Sequence, residues 1–378
     1  MRTILRTTTA IGLATSVALA FAPSATAHGK HHPRHHHPPI SVLAKGLQGP
    51  YQVSASGRHL IVTEADAGRV IAVDRHRKGK VRTLVSGLGP NAAAGAVKVG
   101  HRIYIATAEA GGPPEAEGPP PPAPPYPGSS VLVARKGKVR QFADLLKYEL
   151  KHNPDGQTQF DPTSGEPLDA LSNPFSLLAE RGRHGGVLVA DGGANAVLRV
   201  NAWGRVSTFF VPPTINTGEC EGRPNNDEAS TGCDAVPTGL AYGPRHTIYV
   251  STLNGEAPGE GRVYVLDARS RKVKKVIKGF TSQTGVAVAP DGTVYVSEAL
   301  EGAPEGEPGP DFDPADVGRI VRVSPWGHRT YAQVTMPTGM VWTGGRLYSS
   351  AWSIAGFFGA PGTGQVLAVG AKAFRRAS

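Results

Sequence analysis

Apolar residues in this chain come in short runs, broken repeatedly by glycine, proline or asparagine. Residues 279–331 show the pattern most fully. Gly285-Val286-Ala287-Val288-Ala289 predicts a buried strand, and Pro290-Asp291-Gly292 a tight turn. Thr293-Val294-Tyr295-Val296-Ser297 predicts a second strand, β-branched and aromatic. Gly318-Arg319-Ile320-Val321-Arg322-Val323 predicts a third, Pro325-Trp326-Gly327 turns again, and Arg329-Thr330-Tyr331-Ala332 begins a fourth. The first of these strands are apolar on both faces. One sheet alone would leave half of that surface in water, so such sheets must stack on one another.

The same phrase recurs along the chain. Its openings are Gly49-Pro50-Tyr51, Gly89-Pro90-Asn91, Asn173-Pro174-Phe175, Pro237-Thr238-Gly239, Gln283-Thr284-Gly285 and Pro337-Thr338-Gly339. An apolar second strand follows each, from Leu60-Ile61-Val62-Thr63 in the first to Leu347-Tyr348-Ser349-Ser350 in the last. The last repeat lacks a fourth strand after Val369, and Ser41-Val42-Leu43-Ala44 at the other end of the chain is suited to supply it. Closing a ring in this way removes exposed sheet edges. The predicted fold is all-β: a single six-bladed β-propeller over residues 40–370, with four-stranded antiparallel blades, followed by a C-terminal tail at 371–378.

Insertions distort the period. Residues 111–128 carry nine prolines and are expected to be extended. Residues 143–152 have helical spacing, ended by Asn153-Pro154-Asp155-Gly156. The polar segments 212–235 and 299–316 are further insertions. The tryptophans of two equivalent turns, Trp203 and Trp326, are expected to cap blade packing. Trp342 and Trp352 with Phe357-Phe358 are expected to form an aromatic cluster in the last repeat.

The N-terminus reads as a signal peptide over residues 1–27. Arg2 and Arg6 form the basic region, residues 10–22 the apolar region, and Ala25-Thr26-Ala27 the cleavage site. The mature chain then starts at His28 and is expected to be extracellular, with no membrane span. Residues 28–39 hold six of the 13 histidines and are expected to form a disordered His/Pro-rich tail. His31, His32, His35, His36 and His37 there are candidate ligands for a divalent metal. In an exported protein the two cysteines, Cys220 and Cys233, are expected to pair. Formal net charge is +10, and removal of Arg2 and Arg6 takes it to +8. The bases lie scattered in turns without interleaved aromatics, which argues against nucleic acid and leaves anionic extracellular polymers as one class of partner.

The phrase Val189-Ala190-Asp191-Gly192-Gly193-Ala194-Asn195-Ala196-Val197-Leu198-Arg199-Val200 resembles an NHL-type repeat of the TolB-like propeller superfamily. The runs Ala143–Glu149, Asn153-Pro154-Asp155-Gly156, Ser172-Asn173-Pro174-Phe175 and Val236-Pro237-Thr238-Gly239 resemble the ScyD/ScyE family of secreted bacterial proteins, over roughly residues 40–370. That family carries no settled catalytic residues to place on this chain.

Three second strands are followed directly by an acid: Glu64, Asp191 and Glu298. Spread around one face of a ring, these carboxylates, with Asn173 and also Glu109 and Asn254, are candidates to bind Ca²⁺ or another divalent metal, or to act as acid and base. The competing structural reading is that each accepts backbone hydrogen bonds from nearby turns. No nucleophile elbow, zinc-protease helix, P-loop or dinucleotide fingerprint occurs. The sequence therefore favours a monomeric binding or scaffold propeller for a small molecule, an extracellular polymer or a protein. The alternative is a metal-dependent lactonase or lyase with a carboxylate-lined site.

Overall fold

A computed structural model describes residues 38–376 apart from Asn91, 110–123, 183–184, 228–229, 305, 307–308 and 310–311. Residues 1–27, expected to be a signal peptide, and the histidines of the expected tail lie outside the described residues. The first strand, β1 (Ile40–Leu47), belongs to the last sheet. Blade one is β2 (Pro50–Ser56), β3 (His59–Glu64), β4 (Arg69–Asp74) and β5 (Val81–Val85). Blade two is β6 (Ala93–Val99), β7 (Arg102–Thr107), β8 (Ser130–Arg135) and β9 (Lys138–Asp144). After the helix α1 (Leu145–His152), blade three is β10 (Pro174–Ala179), β11 (Val187–Asp191), β12 (Ala196–Val200) and β13 (Val206–Phe210). Blade four is β14 (Pro237–Gly243), β15 (Thr247–Thr252), β16 (Gly261–Asp267) and β17 (Val273–Phe280). Blade five is β18 (Gln283–Val288), β19 (Val294–Glu298), β20 (Arg319–Val323) and β21 (Arg329–Gln333). Blade six is β22 (Met340–Thr343), β23 (Arg346–Ala351) and β24 (Gly364–Val369), completed by β1 in the order β1-β24-β23-β22. The chain is a six-bladed β-propeller closed by strands from both ends.

Packing explains the two-faced strands. The core divides into six apolar clusters, each made by two neighbouring blades. Between blades six and one, for example, Leu43, Val366 and Tyr348 meet Leu60, Val62 and Ile71. Every residue of β11 and β19 is buried, whereas the outer strand β5 exposes its first three. Removing apolar surface from water on both faces at once is what makes the stack favourable.

The inner strands meet almost backbone to backbone. A Cβ added at Gly285 would fall 2.3 Å from the Thr338 carbonyl oxygen, and one at Gly339 would fall 2.4 Å from that of Tyr51. Hydroxyls stitch the joints: Ser176 donates to the Thr238 carbonyl at 2.7 Å, Thr284 to that of Pro337 at 2.8 Å, and Thr338 to that of Tyr51 at 2.7 Å. Gln52 passes over blade two altogether. Its Nε2 donates to the Leu177 carbonyl at 2.6 Å, and its Oε1 accepts from the Leu177 N–H at 3.1 Å. Gly95 leaves it room, since a Cβ there would sit 2.5 Å from Gln52 Oε1. Beside this bridge the rings of Tyr51 and Phe175 lie 4.8 Å apart, so side chains of blades one and three meet directly at the inner edge of the ring.

α1 starts where predicted to within a turn. Asp144 caps it by accepting from the Lys147 N–H at 2.9 Å, and Asn153 ends it in the left-handed region. Two aromatic expectations need correction. Trp203 and Trp326 are 75% and 84% exposed and do not cap the blades. They occupy turns between third and outer strands, with Gly204 and Gly327 at positive φ, and although the Trp203 turn lies against Phe142 of blade two, both indoles stay largely in solvent. Trp342 does pack, stacked on Tyr295 at 5.4 Å, but Phe357 and Phe358 are exposed. The C-terminal segment docks on blade five. Phe374 is buried against Tyr295, and Arg375 pairs with Tyr331.

Candidate functional site

Glu64, Asp191 and Glu298 each end the second strand of a blade, and all are fully buried. Each reaches back to the segment leading into the first strand of its own blade. Glu64 accepts from the Gln48 N–H at 2.8 Å and from Arg69 at 2.5 and 2.8 Å. Glu298 accepts from the Thr281 N–H at 2.7 Å and from Arg319 at 2.5 Å. Asp191 has no arginine, because Ala196 holds the facing register position. It accepts instead from Ser172 Oγ at 2.7 Å, the Asn173 N–H at 2.7 Å and the Ala194 N–H at 3.2 Å. Burial pushes Asp191 up to about 6 despite these donors, and it raises Glu298 against the opposing pull of Thr281 and Arg319.

Thr107 and Thr252 fill the equivalent position elsewhere with hydroxyls bonded inside their own blades. Of the expected partners, Asn173 touches Asp191 through its N–H and accepts from the Glu109 N–H at 3.3 Å. Asn254 accepts from Thr252 Oγ1 at 2.6 Å. The three acids stay in separate blades. Among the described residues no group of three or more His, Cys, Asp or Glu side chains is arranged to hold a metal.

A second acidic constellation sits beside Asp191 and was not singled out by the sequence. It is built from insertions. Glu149 lies on the buried side of α1, while Asp155 and Asp169 follow on the irregular segment leading to β10. They line a cavity of about 20 Å³ together with Gln157, Gln159 and Asn195. Asp155 accepts from the Gln157 N–H at 3.1 Å and from Asn195 Nδ2 at 3.0 Å. Glu149 Oε1 accepts from Gln159 Nε2 at 3.0 Å. The side chain of Gln157 reaches Asp234 at 2.5 Å, and Asn225 donates to the same oxygen at 2.8 Å. Burial pushes Glu149 up to about 8 and raises Asp155; the solvent-facing Asp169 is raised by partial desolvation, and Asp234 adds repulsion to both aspartates. No lysine or arginine forms a salt bridge with any of these acids among the described residues.

Asp234 is anchored by its neighbour. Cys233 forms a disulfide with Cys220, packed on Ile215 and Ala257. Two insertions, one from α1 to β10 and one from β13 to β14, are thus held together over blade three. The sequence offered a weak signal: several acids and amides between Glu149 and Asp169, all outside the blade repeat.

No family model matches the sequence, and no curated protein is significantly similar. Similar solved structures include a gluconolactonase from Xanthomonas campestris, at 12% identity and a TM-score of 0.49, covering 87% of this chain and 89% of that one. Virginiamycin B lyase from Staphylococcus aureus is similar at 13% identity and a TM-score of 0.44, covering 83% and 82%. A luciferin-regenerating enzyme is similar at 10% identity and a TM-score of 0.47, covering 90% and 97%. At such identities the likeness concerns fold and not activity.

Proposed function

We propose that this chain is a secreted binding propeller of the ScyD/ScyE type, in which a filled ring holds its inserted loops out to an extracellular partner. The observation that carries this reading is the bridge from Gln52 to both backbone groups of Leu177, with Tyr51 against Phe175 beside it. Side chains occupy the inner edge of the ring there, and the strand-end carboxylates are engaged by backbone N–H groups and arginines. Recognition is left to the loops, where binding residues on rigid scaffolds commonly sit. Secretion is supported by the Arg2 to Ala27 leader pattern and by the Cys220–Cys233 disulfide. Each blade finds both neighbours within one chain, which supports a monomer that binds a polymer, a protein or a small molecule.

The competing reading is a metal-dependent lactonase or lyase acting through Glu64, Asp191 and Glu298. The mature protein should be incubated with δ- and γ-lactones in the presence of Ca²⁺, Mn²⁺ or Mg²⁺. Ring opening is expected at the rate of the buffer alone. Turnover that disappears in Glu64→Gln or Glu298→Gln would replace the binding reading with the enzymatic one.

A further inference from the structure

In a four-stranded meander the first and third turns lie at one end of the sheet and the second turn at the other. Neighbouring blades share this orientation. A Cβ at Gly292, in the first turn of blade five, would lie 3.9 Å from both Pro244 in the first turn of blade four and Pro325 in the third turn of blade five. A Cβ at Gly344, in the first turn of blade six, would lie 2.6 Å from Arg75 Nη1 in the third turn of blade one. One face of the ring is therefore built from first and third turns. Bases that are scattered along the sequence collect there: Arg77, Lys78, Lys136, Arg205, Arg245 and Lys272 all lie in these turns and are exposed. Among the described residues the same turns hold two carboxylates, Glu180 and Asp291, with Asp74 and Asp267 at adjoining strand ends. Glu180, Asp74 and Asp267 are already met by Arg199, Arg58 and Lys274. The connections at the opposite end carry the reverse charge. Segment 211–236 has Glu219, Glu221, Asp227 and Asp234 against one base, Arg223, and segment 299–318 has no lysine or arginine.

Both exposed tryptophans stand on the basic face. Trp203 is in the third turn of blade three, two residues before Arg205, and Trp326 is in that of blade five, two residues before His328. At 75% and 84% exposure they keep most of two flat apolar rings in water, at a cost that ring packing does not explain. We propose that this face docks an anionic polysaccharide, with the turn bases on its carboxylates and the two indoles stacked on its sugar rings.

Charge complementarity alone would fit any polyanion. The indoles narrow the choice, because a pyranose ring offers an apolar C–H face to an aromatic plane while its carboxylate points outward to a base. Single-stranded nucleic acid is gripped by aromatics spaced for successive bases along one groove. Here the two indoles are a blade apart from one another, with blade four and its turn bases between them. The proposal rests on the chain being an exported binding propeller, and adds to the inserted loops a second surface on the opposite face.

The test is calorimetric binding of the mature protein, tail included, to polygalacturonate at about 50 mM NaCl, with neutral dextran and single-stranded DNA as comparisons. Wild type is expected to bind polygalacturonate more tightly than DNA and to ignore dextran. Lys78→Gln, Arg205→Gln and Lys272→Gln combined should weaken binding at least about tenfold. Lys147→Gln, Lys151→Gln and Arg223→Gln combined remove the same charge from the opposite face and should weaken it less than about twofold. Trp203→Ala with Trp326→Ala should weaken it about five- to tenfold at unchanged Tm. If that pair melts lower than wild type, Trp326→Ala alone decides, with an expected loss of about two- to threefold. The proposal fails if polygalacturonate is not bound, if the two charge triples weaken binding equally, or if the tryptophan variants bind as wild type does. Tighter binding of DNA, or sedimentation showing salt-sensitive stacks of copies joined through this face, would also overturn it. None of these results bears on whether the ring is a binder or a lactonase, which lactone turnover decides.

Discussion

Arg69 and Arg58 are a matched pair for asking what a buried carboxylate needs. Glu64 has a fully buried side chain gripped by Arg69, and the side chain of Asp74 is 3% exposed and gripped by Arg58. The difference lies in the rest of each environment. Asp74 also accepts from the His76 N–H in an open turn, which holds its carboxyl below the usual carboxylate range. Glu64 sits among apolar strands, with one backbone donor besides the arginine. Arg69→Met is therefore expected to cost about 2–3 kcal/mol, because it leaves a buried charge with too few donors. Arg58→Met is expected to cost clearly less, because Arg58 is half exposed and Asp74 keeps the His76 N–H as a donor. Denaturant titration of both variants checks the ordering, and equal costs would contradict it.

Glu64, Asp191 and Glu298 show how far the sequence could be read. Their position after the second strand was visible because strands of equal phrase can be aligned. Their partners were not, because a carboxylate at that place serves equally well as a ligand or as an acceptor for the Gln48, Asn173 or Thr281 N–H. Only the fold brings those donors within reach.

Among the elements, strands were legible and insertions were not, for a physical reason. A strand in this ring must be apolar where it meets a neighbouring blade, so burial writes a repeat into the chain. The segments 153–172 and 212–235 are organised by amide and carboxylate hydrogen bonds that follow no period, as in Gln157 to Asp234 or Asn225 to Asp234. Glu149 was visible only as part of a helix; nothing local marked its carboxylate as buried. The disulfide carries part of that order. It spans 13 residues and sits in a small cluster of its own with Ile215 and Ala257, apart from the six inter-blade cores. Closing such a loop is worth about 3 kcal/mol in the chain-entropy account. Replacing both cysteines by serine is expected to lower Tm by about 3–6 °C, while the far-ultraviolet circular dichroism of the strands stays unchanged. The strands are held by other contacts, so a loss of strand signal in the folded variant would mean that the loop supports the ring itself.

At the scale of the whole molecule, stability depends on the circle being complete, and β1 is the strand that completes it. β1 pairs with β24 from Ile40 opposite Val369 to Leu47 opposite Gly364. It buries Leu43, Ala44 and Leu47 in the cluster shared by blades six and one. Burying two leucines contributes about 3–6 kcal/mol, a large part of the roughly 5–15 kcal/mol that separates a native domain from its unfolded chain. The loss would not stay local. β24 would become an unpaired edge bearing Val366 and Ala368, inviting association with other chains. Tyr348 would lose cover on one face, and with it the joint where Thr338 grips Tyr51. A chain lacking residues 28–47 is therefore expected to melt at least about 10 °C below the mature protein, or to aggregate. A chain lacking only 28–38 should melt within about 1 °C of it, since it keeps Ile40, which begins the pairing, and Pro39, whose carbonyl accepts from the Gly370 N–H at 2.7 Å. Comparing the two deletions separates the tail from the closing strand. If both melt together near the mature protein, the ring does not owe its stability to being closed by its two ends.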